Sequence, residues 1–304
     1  MKTRYINPYT DFGFKKLFGE EANKDLLMDF LNSILPEKHQ IAELELLNSE
    51  NLPDFPTQRR AFFDISCKNK DGEQFIVEMQ KESQHYFRDR AVFYTTFPIR
   101  NQTPKGESWN FDLNPVYFVA ILNFTYDEQE DRKKFFREVS LKDQDGDEFY
   151  DKLYYYFFQM PLFEKKEPEL RTQQDKWFYF LKNLVSFEDI PAVLREPVFE
   201  KAFRTAAEIN LSGRERDVYE REMLVIWDNY AVMETAMDNA QAKGLAKGLA
   251  KGLEEGLAKG LEEGLAKGRA ERDIEIARTM KRKGLDRALI AETTGLSEDE
   301  IERL

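Results

Sequence analysis

Residues that bind soft metals are scarce in this chain. Its 304 residues include one cysteine, Cys67, and two histidines, His39 and His85. A single cysteine excludes a disulfide within the chain and a zinc site built from cysteines. Two histidines exclude a histidine-rich metal site. Metal chemistry here must therefore depend mainly on carboxylates and backbone oxygens, the hard ligands that suit magnesium, manganese or calcium.

Long apolar runs and excess positive charge are also absent. No run approaches the ~18 apolar residues of a membrane span, and the N-terminal residues lack the apolar stretch of a secretory signal. We therefore expect a cytoplasmic protein without membrane association. Lysine and arginine total 45 against 57 aspartates and glutamates, a net charge of -12. Because Lys and Arg supply most of the nonspecific affinity for nucleic acid, DNA binding would require local basic patches.

The hydrophobic pattern changes along the chain and predicts four segments: residues 1–165, 166–241, 242–270 and 271–304. The first combines helical spacing with alternating strand patterns, as an α/β domain does. The second has helical spacing throughout and predicts an all-helical extension. In the third, a glycine mostly followed by leucine recurs every four residues from Gly244 to Gly268. The fourth predicts short helices broken at Gly284 and Gly295.

The glycine repeat cannot form a stable helix on its own. Its seven glycines would cost about 7 kcal/mol relative to alanine in a helix. A four-residue period also advances about 40° per repeat, so the glycine and leucine rows wind around the helix. Two interpretations stay open: a helix that packs against a second copy of the chain to make a homo-oligomer, and a flexible linker.

Within the first segment, apolar residues at helical spacing predict two short helices before residue 35. A hairpin follows, and then a helix from about Ser83 to Gln102 with an apolar stripe. The run PVYFVAILNF predicts a buried strand, and LYYYFFQMPLF predicts an aromatic strand that ends at Pro161. The stripe of the helix consists of Phe87, Ala91, Tyr94 and Phe97.

The hairpin has a register that its turn can fix. Residues 70–72 suit a three-residue loop with Gly72 in the left-handed conformation, which places Asp64 opposite Glu78. One face then carries Asp64, Ser66, Ile76, Glu78 and Gln80. The other face, which we expect to enter the core, carries Phe63, Ile65, Cys67, Phe75, Val77 and Met79.

Two facing carboxylates repel each other unless they are protonated or bridged by a cation. Their Cβ atoms would lie about 5 Å apart. Magnesium can bind one or two carboxylates and keep its other positions for water and a substrate phosphate. On spacing alone, a solvated hairpin face explains Asp64 and Glu78 equally well, because acidic residues are common on exposed strands.

Four motifs occur in order within about the first 165 residues: TDFGFKKLFG, DISCKNKDGEQFIVEMQ, FRDRAVFY and NPVYFVAILNF. Together they resemble the Rpn family of recombination-promoting nucleases, often labelled transposases, in the PD-(D/E)XK superfamily. The resemblance implies a restriction-endonuclease-like α/β core of a helix, a β-hairpin sheet, a second helix and a further strand. It also implies a magnesium-dependent DNA endonuclease that hydrolyses phosphodiester bonds with a metal-activated water, in recombination or a mobile-element context.

The same resemblance assigns roles residue by residue. Asp64 and Glu78 match the metal-binding acids, and the backbone carbonyl of Met79 matches a further metal ligand. Gln80 stands where many superfamily members have lysine, and it supplies neither a cation nor a titratable group. Asp11 matches an acidic residue in the first motif, although a helix-capping role explains it as well. Gln80 and the acidic net charge keep an alternative open: a catalytically weak or inactive nuclease-derived module for DNA binding or assembly.

The helix after the hairpin carries candidate DNA contacts. Arg90 and Tyr94 share a helix face and could hold a DNA phosphate beside the metal. Arg88 and Arg90 are two residues apart, so at most one of them faces the site. A surface arginine over a core tyrosine is the alternative interpretation of Arg90 and Tyr94.

The C-terminal segment resembles a helix-turn-helix fragment, with Gly295 at the turn and Ser297 capping the next helix. That last helix is acidic, so it is poorly suited to reading DNA sequence. A basic stretch precedes it and could bind the DNA backbone without reading sequence. The stretch consists of Lys267, Arg269, Arg272, Arg278, Lys281, Arg282, Lys283 and Arg287.

Overall fold

The computed structural model describes residues 3–48, 50–51, 61–82, 86–103, 110–126 and 133–304. The chain divides into two compact units, Met1–Ile226 and Trp227–Leu304. The first unit has a mixed α/β fold around a six-stranded sheet, consistent with a restriction-endonuclease-like core. The second unit is helical. Among the described residues, no helix is both long enough and apolar enough to span a membrane.

The helices are α1 (Asp11–Phe18), α2 (Lys24–Ile34), α3 (Phe87–Asn101), α4 (Gln173–Asn183), α5 (Pro197–Ala206), α6 (Gly213–Arg282), α7 (Arg287–Thr294) and α8 (Glu298–Arg303). The strands are β1 (Leu44–Leu46), β2 (Glu50–Asn51), β3 (Ala61–Phe62), β4 (Ile65–Asn69), β5 (Gln74–Gln80), β6 (Val116–Leu122), β7 (Phe136–Lys142) and β8 (Glu148–Gln159).

The large sheet has the strand order β1-β4-β5-β6-β8-β7. The two central pairings, β5 with β6 and β6 with β8, are parallel, and the others are antiparallel. Parallel neighbours need a crossover, and helix α3 lies in the one between β5 and β6. Every residue of β6 is buried, which explains why its sequence is continuously apolar instead of alternating.

Each face of the sheet is covered by an apolar cluster. The larger cluster joins α1, α2, α4 and α5 to one face, with Trp177 fully buried among them. The smaller one packs Phe87, Ala91 and Phe97 of α3 against Ile76 and Phe118 on the opposite face. The apolar stripe predicted for α3 is therefore confirmed, and it holds this helix over β5, the strand that carries Glu78.

The hairpin between β4 and β5 has the predicted register. Ile65 pairs with Val77, so the next position places Asp64 opposite Glu78. The loop closes through a hydrogen bond of 3.1 Å from the N–H of Gly72 to the carbonyl of Asn69. Gly72 has a φ of 84°, the left-handed conformation that glycine adopts without steric cost.

The predicted position of Phe63 is wrong. The alternation predicts that it shares a face with Ile65, but it packs in the smaller cluster. Its ring centroid lies 5.1 Å from that of Tyr94 and 6.0 Å from that of Phe97. The chain bends at Asp64, between the end of β3 and the start of β4, so the strand alternation does not extend through this position. Helix α3 begins at Phe87; Ser83, where we expected it to start, lies outside the described residues.

The second unit contains most of α6, then α7 and α8. The glycine repeat is helical, and its leucines, from Leu245 to Leu265, are 56–77% exposed. The predicted breaks are confirmed, because Gly284 and Gly295 have φ values of 76° and 73°. Ser297 also caps α8 as expected: its hydroxyl accepts a hydrogen bond from the N–H of Glu300. A small core of Ala277, Ile290 and Ile301 holds these helices together.

Candidate active site

An open cleft of about 350 Å³ lies at the carboxyl end of β5, between the hairpin and α3. Most of the residues that the sequence singled out line it, and Asp11 does not. The cleft is lined by Phe62, Asp64, Glu78, Met79, Gln80, Lys81, Glu82, Arg90 and Tyr94. The fold thus brings the hairpin acids together with the arginine and tyrosine of α3.

Reciprocal hydrogen bonds hold the two acids beside each other. The Oδ2 atom of Asp64 accepts a bond of 2.7 Å from the N–H of Met79. The Oε1 atom of Glu78 accepts a bond of 3.1 Å from the N–H of Asp64. Glu78 is only 3% exposed. The two carboxyl groups are therefore fixed beside each other at the open end of the hairpin, with Glu78 buried and Asp64 half-buried.

Burial and mutual repulsion make the charged state of this pair unfavourable. Burial raises the pKa of Glu78 well above its ordinary value, and the charge of Asp64 raises it further. Burial also raises the pKa of Asp64, with a smaller contribution from the charge of Asp11. Hydrogen bonds and the charge of Arg90 oppose these shifts. Such a pair favours either a bound proton or a bound cation.

Gln80 and Arg90 extend the hydrogen-bond network away from Glu78. The amide nitrogen of Gln80 donates a bond of 2.9 Å to the Oε2 atom of Glu78. A guanidinium N–H of Arg90 donates in turn to the Oε1 atom of Gln80. The guanidinium carbon of Arg90 lies 5.6 Å from the ring centroid of Tyr94. Arg88 lies instead over the ring of Tyr126, at 5.2 Å.

Asp11 lies at the start of α1, where its carboxylate forms a 2.7 Å ion pair with Lys15. The capping residue of α1 is Thr10, whose hydroxyl accepts from the N–H of Gly13. Asp11 and Lys15 act on Asp64 electrostatically, because Asp11 raises and Lys15 lowers its pKa. The structure thus places Asp11 near the acids but outside the lining of the cleft.

Glu222 of α6 is a neighbour of this site that no sequence pattern revealed. Its Oε2 atom accepts a bond of 2.9 Å from the N–H of Phe12 in α1, 210 positions earlier in the chain. Burial raises the pKa of Glu222, and the charge of Asp11 adds to that shift. The ion pair between Asp11 and Lys15 could have been inferred from their four-residue spacing on a helix, but the contact with Glu222 depends on tertiary packing.

The donor atoms at the cleft fit a magnesium ion. Within the described ranges, no group of three or more His, Cys, Asp or Glu side chains could hold a metal, so Asp64 and Glu78 would be the only acidic ligands. Magnesium needs only one or two carboxylates because it keeps several waters. The N–H of Met79 points towards Asp64, and the carbonyl of a strand residue points to the same edge as its N–H. Met79 can therefore add a third oxygen.

Two family models match the chain. Residues 8–236 match the PD-(D/E)XK nuclease family transposase. Residues 270–304 match the C-terminal HTH domain of the Rpn/YhgA-like nuclease family. No curated protein and no solved structure gave a significant match. The two matches cover the α/β unit with its paired acids and the capped C-terminal helices, and the chain therefore belongs to the Rpn-type PD-(D/E)XK nuclease family of transposases.

Proposed function

We propose that this nuclease-family protein is a magnesium-dependent DNA endonuclease that hydrolyses phosphodiester bonds in the cytoplasm, in DNA recombination or the movement of a mobile element. The observation that carries the proposal is the pair formed by buried Glu78 and half-buried Asp64, which opens onto the cleft beside Arg90. Buried like charges are costly unless a cation or proton compensates them. Manganese or calcium, which take similar oxygen ligands, are the alternative ions.

In this mechanism, Asp64, Glu78 and the carbonyl of Met79 would hold the ion. When bound, magnesium supplies an activated water and offsets the charge that develops on the phosphate. The bond from Gln80 to Glu78 orients that carboxylate. Arg90 and Tyr94 face the same cleft and position a DNA phosphate. Asp11 acts from outside the cleft, by its charge on Asp64 and by holding Lys15.

The C-terminal HTH domain gives the protein a DNA-binding module. We propose that it binds the DNA backbone through the basic stretch from Lys267 to Arg287 and does not read the bases with α8. The first turn of α8 is acidic, with Glu298, Asp299 and Glu300. Acidic side chains repel phosphates, whereas each lysine or arginine that contacts one adds sequence-independent affinity.

We also propose that the repeat of α6 joins copies of the chain into a homo-oligomer. Its leucines form a row along the helix with a four-residue spacing, and the glycines form a groove beside it. An added Cβ on Gly252, Gly256 or Gly260 would meet no atom of the described residues within 4 Å, apart from the backbone of the helix itself. The leucine row of a second copy fits such a groove, and rows with this spacing pack at a crossing angle of about -50°.

One observation favours the second candidate function, a catalytically weak or inactive module for DNA binding or assembly. Position 80 is an amide, which supplies neither positive charge nor a titratable group. Cleavage of supercoiled plasmid with and without magnesium, in wild type and Asp64→Ala, decides between the two functions. If the protein is an endonuclease, the wild type should nick the plasmid with magnesium, and neither the wild type without magnesium nor Asp64→Ala should nick it. Absence of nicking by wild type with magnesium, manganese or calcium, together with retained DNA binding, favours the inactive module.

A further inference from the structure

The amide of Gln80 joins two groups of opposite charge. It donates to the carboxylate of Glu78 at 2.9 Å and accepts from the guanidinium of Arg90. Gln80 is 8% exposed, so water competes little with either bond. A lysine at this position could donate to Glu78, but it has no acceptor for Arg90. The pattern of donors and acceptors therefore suits an amide at position 80 and a cation at position 90.

We propose that Arg90 supplies, to the phosphate in the cleft, the positive charge that lysine supplies at position 80 in many members of the superfamily. Gln80 is then a positioning residue that ties Arg90 to Glu78. The inference rests on the proposed nuclease function and adds to it the source of the missing charge. A guanidinium also presents a planar set of donors that matches two phosphate oxygens at once, which an ammonium group does not.

Two other cations lie near the acids, and the geometry favours neither. The ammonium group of Lys15 is paired with Asp11 at 2.7 Å and does not line the cleft. Lys81 lines the cleft, but it lies beyond the end of β5, so the strand does not fix its side chain beside Glu78 as it fixes that of Gln80. Arg90 lines the cleft, is bonded to the network of Glu78 and lies over the ring of Tyr94.

A charge swap tests this assignment. The variants are Arg90→Gln, Gln80→Lys and the double variant that carries both substitutions. The double variant moves the positive charge from position 90 to position 80. Arg88→Gln is the matched control, since Arg88 lies on the same helix but over Tyr126. The first measurement is the binding of a fluorescein-labelled 20-base-pair duplex in EDTA over a range of salt concentrations. Each phosphate contact contributes about 0.9 to the slope of log affinity against log salt for B-DNA.

Arg90→Gln should reduce this slope by about 0.9, the double variant should restore it, and Arg88→Gln should keep the wild-type slope. In magnesium, Arg90→Gln should lower kcat by about 10²-fold, as expected for loss of one charge-stabilising donor, and the double variant should cut faster than either single variant. An unchanged slope in Arg90→Gln, or a double variant that neither binds nor cuts better than Arg90→Gln, overturns the inference.

Two features keep the result interpretable. The binding slopes are measured without metal, so an inactive wild type refutes the nuclease proposal while the slopes still decide whether Arg90 contacts a phosphate. If Arg90→Gln does not fold, Gln80→Met is the second variant, because it keeps Arg90 but removes its acceptor. Its kcat should fall at least about tenfold without a change in the salt slope. An unchanged kcat would show that Gln80 does not position Arg90.

Discussion

Replacing Glu78 by glutamine should make the metal-free protein more stable. Two unit charges about 5 Å apart repel by about 3 kcal/mol at an effective dielectric constant of about 20. Glu78→Gln removes this repulsion, and its amide oxygen can still accept from the N–H of Asp64, as the Oε1 atom of Glu78 does. Its amide nitrogen then faces the amide nitrogen of Gln80, which donates to Glu78 in the wild type, and the loss of this hydrogen bond costs about 1 kcal/mol. Since the raised pKa of Glu78 also lowers the repulsion in the wild type by favouring the protonated carboxyl group, we expect a net gain of about 1 kcal/mol in the free energy of unfolding at alkaline pH in EDTA.

The gain should depend on pH in one direction. A carboxyl group whose pKa is raised in the folded state holds its proton more tightly there, so its stabilising contribution is full below the ordinary pKa and is lost as the pH rises through the raised pKa. Both Asp64 and Glu78 have raised pKa values. Wild type in EDTA should therefore lose stability from about pH 4, the ordinary range of these carboxyl groups, to about pH 8, the raised pKa of Glu78, and Glu78→Gln should lose less.

Urea denaturation in EDTA, at several pH values, measures the difference in stability between Glu78→Gln and the wild type. Added magnesium should reverse the sign of this difference. Wild type should gain about 2.7 kcal/mol at a magnesium concentration of 100 times Kd, whereas Glu78→Gln should gain much less. Glu82→Gln is the matched control, because Glu82 lines the same cleft but is exposed. If Glu78→Gln is less stable than wild type at alkaline pH in EDTA, Asp64 and Glu78 do not destabilise the metal-free protein. If magnesium stabilises both proteins equally, Glu78 is not a magnesium ligand.

Three further predictions concern packing. Phe63→Ala should lower the free energy of unfolding, measured by urea denaturation, by about 3–5 kcal/mol. Phe62 is the control: its side chain is 57% exposed, so Phe62→Ala should change the free energy of unfolding by less than about 1 kcal/mol. Equal losses in the two variants would contradict the burial of Phe63. After deletion of residues 244–304, the remaining protein should still fold and should unfold cooperatively when its thermal melting is followed by circular dichroism. Loss of folding would refute the predicted domain boundary. Leu253→Glu with Leu257→Glu should lower the mass measured by light scattering, and an unchanged oligomer would exclude the leucine row as its interface.

The register of the hairpin could be predicted because two local rules agree. Gly72 adopts the left-handed conformation that the three-residue loop needs, and the residues of β4 alternate between buried and half-buried positions with period two. Both rules depend only on residues close together in the chain. The opposition of Asp64 and Glu78 follows from them without knowledge of the rest of the fold.

The error at Phe63 shows where local rules fail. The N–H of Met79, which would bond a strand carbonyl in a continuing ladder, bonds the side chain of Asp64 instead. The ladder of β4 therefore begins only at Ile65, and Phe63, on the other side of Asp64, packs against α3. A period-two pattern assumes a continuous ladder, so it cannot place a residue on the far side of such a bend.

The charge of the site illustrates the same difference between local and tertiary information. Read at position 80 alone, the sequence lacks the cation that the superfamily motif provides. The structure places Arg90, ten positions further along the chain, against that amide, because α3 packs on the sheet within the crossover from β5 to β6. One local sign was available: Arg90 precedes Tyr94 by four residues, so the two share a helix face. In related sequences with an amide at this position, the compensating cation should therefore be sought on the helix after the hairpin and not within the strand motif.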